Sequence, residues 1–293
     1  MSSPNLPDFD ALWDYSHPDQ TEAKFCEVLL QFPEDDPAFL ELLTQIARAQ
    51  GLQGKFDHAH QTLDQVDRRL GEVASPPKLR YLLERGRVFN SSGNIEQARP
   101  LFEQALDLAK RLNEDFYAVD ALHMLAIVAP PAQSLTLNRQ AIQLAEDSQE
   151  EKARNWLGSL YNNTGWSYHD MGEYALALET FQKAEEWQRS KGRVHERRIA
   201  AWCVARTLRS LGRTEEALSR QMALKDEFEA TGENDGYVLE EIGECLLALN
   251  RLEEARPYFL RAHDLLSQDA WLAEKEPERL VRLKNLGSGS YSE

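Results

Sequence analysis

Five stretches of the sequence carry small and turn-forming residues in one fixed order, and that order leaves few folds open. Gly165, Gly172, Ala177, Phe181 and Ala184 stand at successive offsets of 7, 5, 4 and 3 residues. The same offsets recur in Gly86, Gly93, Ala98, Phe102 and Ala105, and in Ala47, Gly54, Ala59, Leu63 and Val66. They recur again in Ala205, Gly212, Ala217, Gln221 and Leu224, and in Gly243, Asn250, Ala255, Phe259 and Ala262. The leading positions 47, 86, 165, 205 and 243 are separated by 39, 79, 40 and 38 residues. The gap of 79 spans two periods and holds a degenerate copy, "ALHMLAIVAPPAQSLTLNRQAIQLAED". There Ala126 follows Gly86 by 40, and "LNRQAIQLA" matches "LFEQALDLA" through Ala141 after a turn, "APPAQ", that is four residues shorter. Self-similarity at a period of about 40 residues is the mark of a stacked repeat array.

Each copy reads as two helices. The first half is apolar at helical spacing, as in Leu79, Leu82, Leu83, Gly86 and Phe89. Gly54, Gly93, Gly172, Gly212 and Asn250 then mark the helix stop. The second half resumes the period, as in Ala98, Leu101, Phe102, Ala105 and Leu106. Such a hairpin cannot bury both faces alone and must stack on its neighbours. A glycine inside a helix costs roughly 1 kcal/mol relative to alanine. At Gly165 the expected compensation is a close helix crossing, near the lower end of roughly 8–10 Å.

These columns resemble the tetratricopeptide repeat (TPR) family. The fullest copy supplies Tyr161, Asn163, Gly165, Tyr168, Gly172, Tyr174, Ala177, Phe181 and Ala184. The resemblance extends over about four-fifths of the chain, with a period longer than the family's 34 residues. Longer helices or linkers such as "RSKGRVHER" at 189–197 would supply the excess. It implies an all-α, right-handed superhelical solenoid of six helix pairs, with copies near 40–73, 79–113, 115–148, 154–191, 194–230 and 235–268. The third is degenerate, with Asn138 in the phenylalanine column and Pro130–Pro131 forcing the turn. Segment 19–32 reads as an N-terminal capping helix with Asp19 and Glu22 as a capping box. Segment 269–287 reads as a closing helix, and "GSGSYSE" at 287–293 as a flexible tail.

Chemistry is sparse. The seven histidines form no H-E-x-x-H pattern, and His58 and His60 point to different sides of a helix. "HPD" at 17–19 lacks the flanking helices of a J-domain, and Pro18 starts the helix there. There is no P-loop and no G-x-G-x-x-G, so neither catalysis nor a cofactor or metal is expected. A net charge of −16 argues against nucleic acid. No apolar run reaches the length of a membrane span, and no secretory signal begins the chain. Three scattered cysteines suit a reducing cytoplasm.

The function then lies on the surface. In the TPR family the first helix of each pair lines the inner face of the superhelix. The helix period puts Arg48, Arg80, Leu83, Arg87, Asn90, Asp120, His123 and Ile127 on that face. From the later copies it adds Asn162, Trp166, His169, Trp202, Arg206, Arg209, Tyr237, Glu240 and Glu244. Arg48, Arg87, Asn90, Asn162, Trp166, His169, Trp202, Arg206 and Arg209 form the expected peptide site. Rings would anchor apolar side chains, Asn would hold backbone and Arg would hold carboxylates. The alternative for the same residues is that the tryptophans pack between helices and the arginines pair with local glutamates. The Lys–Asn clamp of chaperone-binding members is absent, because its places carry Thr44 and Arg48, then Leu83 and Arg87. Bacterial pheromone receptors and kinesin light chains use inner Asn residues on related long repeats, a use with which Asn162 is compatible. The expected function is a scaffold that binds a protein or peptide segment with apolar or aromatic and acidic side chains. Two other readings stay open. One is a self-associating adaptor; the other is a small-molecule sensor or enzyme with a pocket near Pro130–Pro131. Oligomeric state is open.

Overall fold

The computed structural model describes residues 9–71 and 75–289. These residues are helical with no strand among them, and they form two compact units divided between Leu160 and Tyr161. The first unit opens with a 3₁₀ turn, Phe9–Leu12, and α1, Pro18–Leu29. Three hairpins follow: α2 (Pro37–Leu52) with α3 (Phe56–Asp67), α4 (Pro76–Ser91) with α5 (Ile95–Leu112), and α6 (Asp115–Ile127) with α7 (Pro131–Asp147). A short α8, Glu151–Arg154, precedes α9, Leu157–Asp170, which leads into the second unit. There α9 pairs with α10 (Tyr174–Ser190), α11 (Val194–Ser210) with α12 (Thr214–Ala230), and α13 (Gly236–Ala248) with α14 (Leu252–Leu266). The chain closes with α15 (Ala270–Lys275) and α16 (Pro277–Ser288).

The turns and the repeat columns explain one another. Gly54, Gly93, Gly172 and Gly212 all take positive φ, between 73° and 84°, and Asn250 does so at 59°. That left-handed residue ends the first helix of five hairpins and returns the chain over three or four residues, while the α6–α7 hairpin turns at Pro130 without one. Inside the hairpins a second rule appears. A Cβ on Gly165 would sit 2.6 Å from Phe181 Cε1, and one on Gly243 would sit 2.7 Å from Phe259 Cε1; Gly86 meets Phe102 in the same way. The other three copies have alanine in the glycine column, and none has phenylalanine opposite: Ala47 goes with Leu63, Ala126 with Asn138, and Ala205 with Gln221. Glycine stands where a ring must fit beneath the facing helix, and packing of that ring offsets the helix-propensity cost.

The long period comes from long helices, since α10, α11 and α12 have 17 residues each. Segment 189–197 holds the end of α10 and the start of α11, joined by a three-residue turn at 191–193. Three expectations at the ends are corrected. Asp19 and Glu22 form no capping box: α1 begins at Pro18, and Glu22 instead accepts hydrogen bonds from Gln50, Gln53 and Lys55. The closing helix is two helices, broken at Glu276 before Pro277, because a residue preceding proline leaves the helical region. The last of them runs through Gly287 and Ser288, and a Cβ on Gly287 would meet Leu260, so the expected tail begins later; residues 290–293 of it lie outside the described residues.

Candidate functional site

In the second unit, the first helices α9, α11 and α13 present a file of aromatic rings. Trp166 lies 6.1 Å from Trp202, and Trp202 lies 6.5 Å from Tyr237. Trp166 also meets Phe181 edge-on at 5.3 Å and His169 at 5.1 Å. Trp166 and Trp202 are half-buried and rest on the hairpin core, whereas Tyr237 is exposed. They occupy different columns. Trp166 follows the Gly165 column by one residue, Trp202 precedes Ala205 by three, and Tyr237 precedes Gly243 by six. One helical turn per step therefore carries the file diagonally toward the N-terminal ends of the helices. The Trp202 indole N–H donates to the Tyr237 carbonyl at 3.1 Å, which fixes the ring's orientation.

The file ends in a pocket of about 240 Å³. His195, Ile199 and Trp202 come from one side of α11, Phe228 from α12, and Tyr237 and Val238 from α13, with Arg198 and Asp235 at the polar edge. Ile199 is 45% and Val194 54% exposed, an unusual amount of apolar surface beside an open cavity. Arg198 is held in place: its guanidinium lies 4.4 Å over the Phe228 ring and binds Glu227 and Glu233. Only Trp202 of this lining was in the expected site. Tyr237 was expected on the same face as Trp202. The i, i+4, i+7 spacing of His195, Ile199 and Trp202, which puts them on one side of α11, was the signal that could have found the rest.

Polar groups behind the rings are linked. His169 Nε2 and Arg206 Nη1 both lie 2.9 Å from Ser210 Oγ. Asn162 Oδ1 accepts from the Cys203 thiol, 3.7 Å away. Arg206 and Arg209 converge on Glu241, which is 4% exposed. Burial holds the Glu241 carboxyl above its ordinary range, against the Arg209 hydrogen bond. It keeps His169 below its own range, with the Arg206 charge adding to the effect. The Cys203 thiol is pushed up to about 12 by burial, so it is inert. The pattern continues with Arg279 on Glu240 and Arg282 on Glu244.

The first unit holds the other expected residues. Arg48 pairs with Glu84 at 3.5 Å, and Arg87 binds both Glu84 and Asp120. Both arginines line a second pocket of about 220 Å³ with Gly51, Leu52, Val88, Ser91 and Met124. Asn90 is half-buried beside it in the chain. Arg80, Leu83 and Asp120 are buried, which removes them from the open face the helix period gave them. The arginines are thus tied to carboxylates on neighbouring first helices, for acids lie opposite them across each helix contact.

Among the described residues no group of His, Cys, Asp and Glu could hold a metal ion, and no helix is long and apolar enough to cross a membrane. Hairpins of this length, with small residues at the crossings, stacked side by side, define a helical repeat solenoid. The family description of the tetratricopeptide repeat matches residues 79–111 and 152–191, and these two stretches are tetratricopeptide repeats. No curated protein matches the sequence significantly. Among solved structures, the apo form of RapI is similar with a TM-score of 0.76 and 13% identity, over 97% of this chain and 81% of that one. A Rap protein complexed with competence and sporulation factor has a TM-score of 0.53 and 16% identity, over 92% and 80%. A signal-transduction ATPase with a TPR sensor, from Pyrococcus horikoshii, has a TM-score of 0.72 and 15% identity, over 94% of this chain and 41% of that one.

Proposed function

We propose that this chain is a non-catalytic scaffold whose second unit binds a peptide or an extended protein segment across α9, α11 and α13. The observation that carries the reading is the aromatic file from Trp166 through Trp202 to Tyr237, opening into the apolar pocket beside Ile199 and Phe228. Partly open rings beside an apolar cavity are what an apolar or aromatic side chain of a partner would cover. Asn162, His169, Arg206 and Arg209 frame the file as its polar side. Since Glu241 already engages both arginines, an acidic group on the partner adds selectivity, and the apolar anchors supply most of the affinity. The complex of a Rap protein with competence and sporulation factor supports such a use of a similar fold. Three free cysteines, two of them buried, support a cytoplasmic setting.

The test is titration of a peptide selected against the whole chain. Trp202→Ala should weaken binding by roughly 2 kcal/mol, about thirtyfold, while Arg206→Ala should cost less. Circular dichroism should be unchanged in both. A loss of helicity in Trp202→Ala would instead make the ring part of the core and end the proposal.

A further inference from the structure

In the first unit, a stretch of the chain that belongs to no repeat lies on the first helices. Residues 9–17, "FDALWDYSH", begin with the 3₁₀ turn, and Phe9 is buried against Phe32, with ring centroids 6.0 Å apart. Beyond that anchor Trp13 packs edge-on against Phe25, at 5.3 Å, and polar and ring-face contacts are added. Asp10 places both carboxylate oxygens on Arg80 Nη2, at 3.0 and 3.1 Å, and lies 3.6 Å from Lys152 Nζ. The Trp13 indole N–H donates to Gln45 Oε1 at 3.0 Å. Trp13 stacks on Tyr15 at 4.8 Å, and the Arg48 guanidinium covers both rings at 5.4 and 5.5 Å.

Each of these contacts reads one side-chain type: a carboxylate, an indole N–H, a pair of ring faces. The residues that make them sit on α2, α4 and α8; Arg48 belongs to the face on which the helix period places ligand contacts, and Arg80 is buried beneath Asp10. The contacted side keeps its own supports. Arg80 Nε is held by Glu41 at 3.1 Å and by the Tyr117 hydroxyl at 2.9 Å, so lifting Asp10 away leaves the guanidinium positioned with Nη2 open to a carboxylate. The outer part of the segment is shallow, with Tyr15 60% exposed.

We propose that α2 and α4 form a second recognition surface, for a peptide of pattern Asp-x-x-Trp-x-Tyr, which the chain's own residues 10–15 occupy in cis. A partner segment carrying the same acidic and aromatic side chains would bind by displacing them. The cis segment thereby sets a threshold: apparent affinity falls in proportion to the fraction of molecules in which the surface is open.

The probe is a fluorescently labelled nonapeptide of residues 9–17, titrated against the full chain. Asp10→Ala with Trp13→Ala loosens the cis segment and leaves Phe9 in place, so this variant should bind the peptide about tenfold more tightly than the unaltered chain. A peptide with Lys for Asp10 and Ala for Trp13 should not bind. Tyr15→Ala removes only an outer ring and should give a smaller gain in the same direction, which keeps the test open if the double variant loses helicity. Equal peptide affinity in the unaltered chain and the folded variants would overturn the proposal. So would binding of the altered peptide, or a dimer of the unaltered chain in light scattering that exchanges these segments.

Discussion

A hydrogen at position 165 does more for this protein than a methyl group would, because the Phe181 ring fills the space where a Cβ would go, 2.6 Å from Cε1. Alanine there would gain roughly 1 kcal/mol in helix propensity and lose about 1–3 kcal/mol to overpacking. Gly165→Ala should therefore lower the melting temperature, and the loss should shrink in a Phe181→Leu background, since Ala47 lives opposite Leu63 in the first copy. Strict additivity of the two changes in a double-mutant cycle would refute the steric account. Ala177, fully buried at the same crossing, should tolerate leucine no better, with a destabilisation of about 1–3 kcal/mol in thermal melting.

Between elements, buried glutamates tie successive first helices together. Glu41 meets Arg80, Glu84 meets Arg48 and Arg87, and Glu241 meets Arg206 and Arg209. Pairing neutralises the arginines that the face would otherwise offer to a ligand. Glu241→Gln should thus have two opposed effects. Stability should fall, by at most about 3 kcal/mol because both arginines reach solvent. Affinity for an acidic peptide should rise relative to its amide analogue, as two guanidinium groups become available. Thermal melting and paired titrations check both, and an unchanged acid-to-amide ratio would show that these arginines do not face the bound peptide.

At the scale of the whole molecule, burial depresses the pKa of His60, His123 and His169 below the usual 6.5, and nearby arginines add to the effect. A histidine whose folded pKa is lowered is protonated first in the unfolded chain. Its contribution to stability is present above about pH 6.5 and is lost as pH falls through that value toward the folded pKa. His123, whose buried Nδ1 has no partner and whose ring lies 5.1 Å from Trp156, should show this most clearly. Melting temperature should drop between about pH 7 and pH 5.5, and drop less in His123→Phe. Parallel slopes in the two proteins would place the acid sensitivity elsewhere.

The sequence alone determined the helical hairpins, their order and their turns. Each rests on local information: apolar residues three or four apart, a glycine or asparagine at the left-handed position, a column repeated every forty residues or so. It also put Trp166, Trp202 and Tyr237 on one face, because helix phase follows from the packing column. Partners across longer distances were decided only by the tertiary structure. Glu22 looked like a cap within its own helix and instead serves Gln50, Gln53 and Lys55. The arginines expected on the inner face could have met a ligand or a neighbour, and the choice turned on which of many carboxylates stood opposite once helices one repeat apart were side by side. Asp10 finding Arg80, seventy residues away, has no periodic signature at all. A repeat fixes where a side chain points, but what it meets depends on the rotation and offset of the next helix, and packing alone settles those.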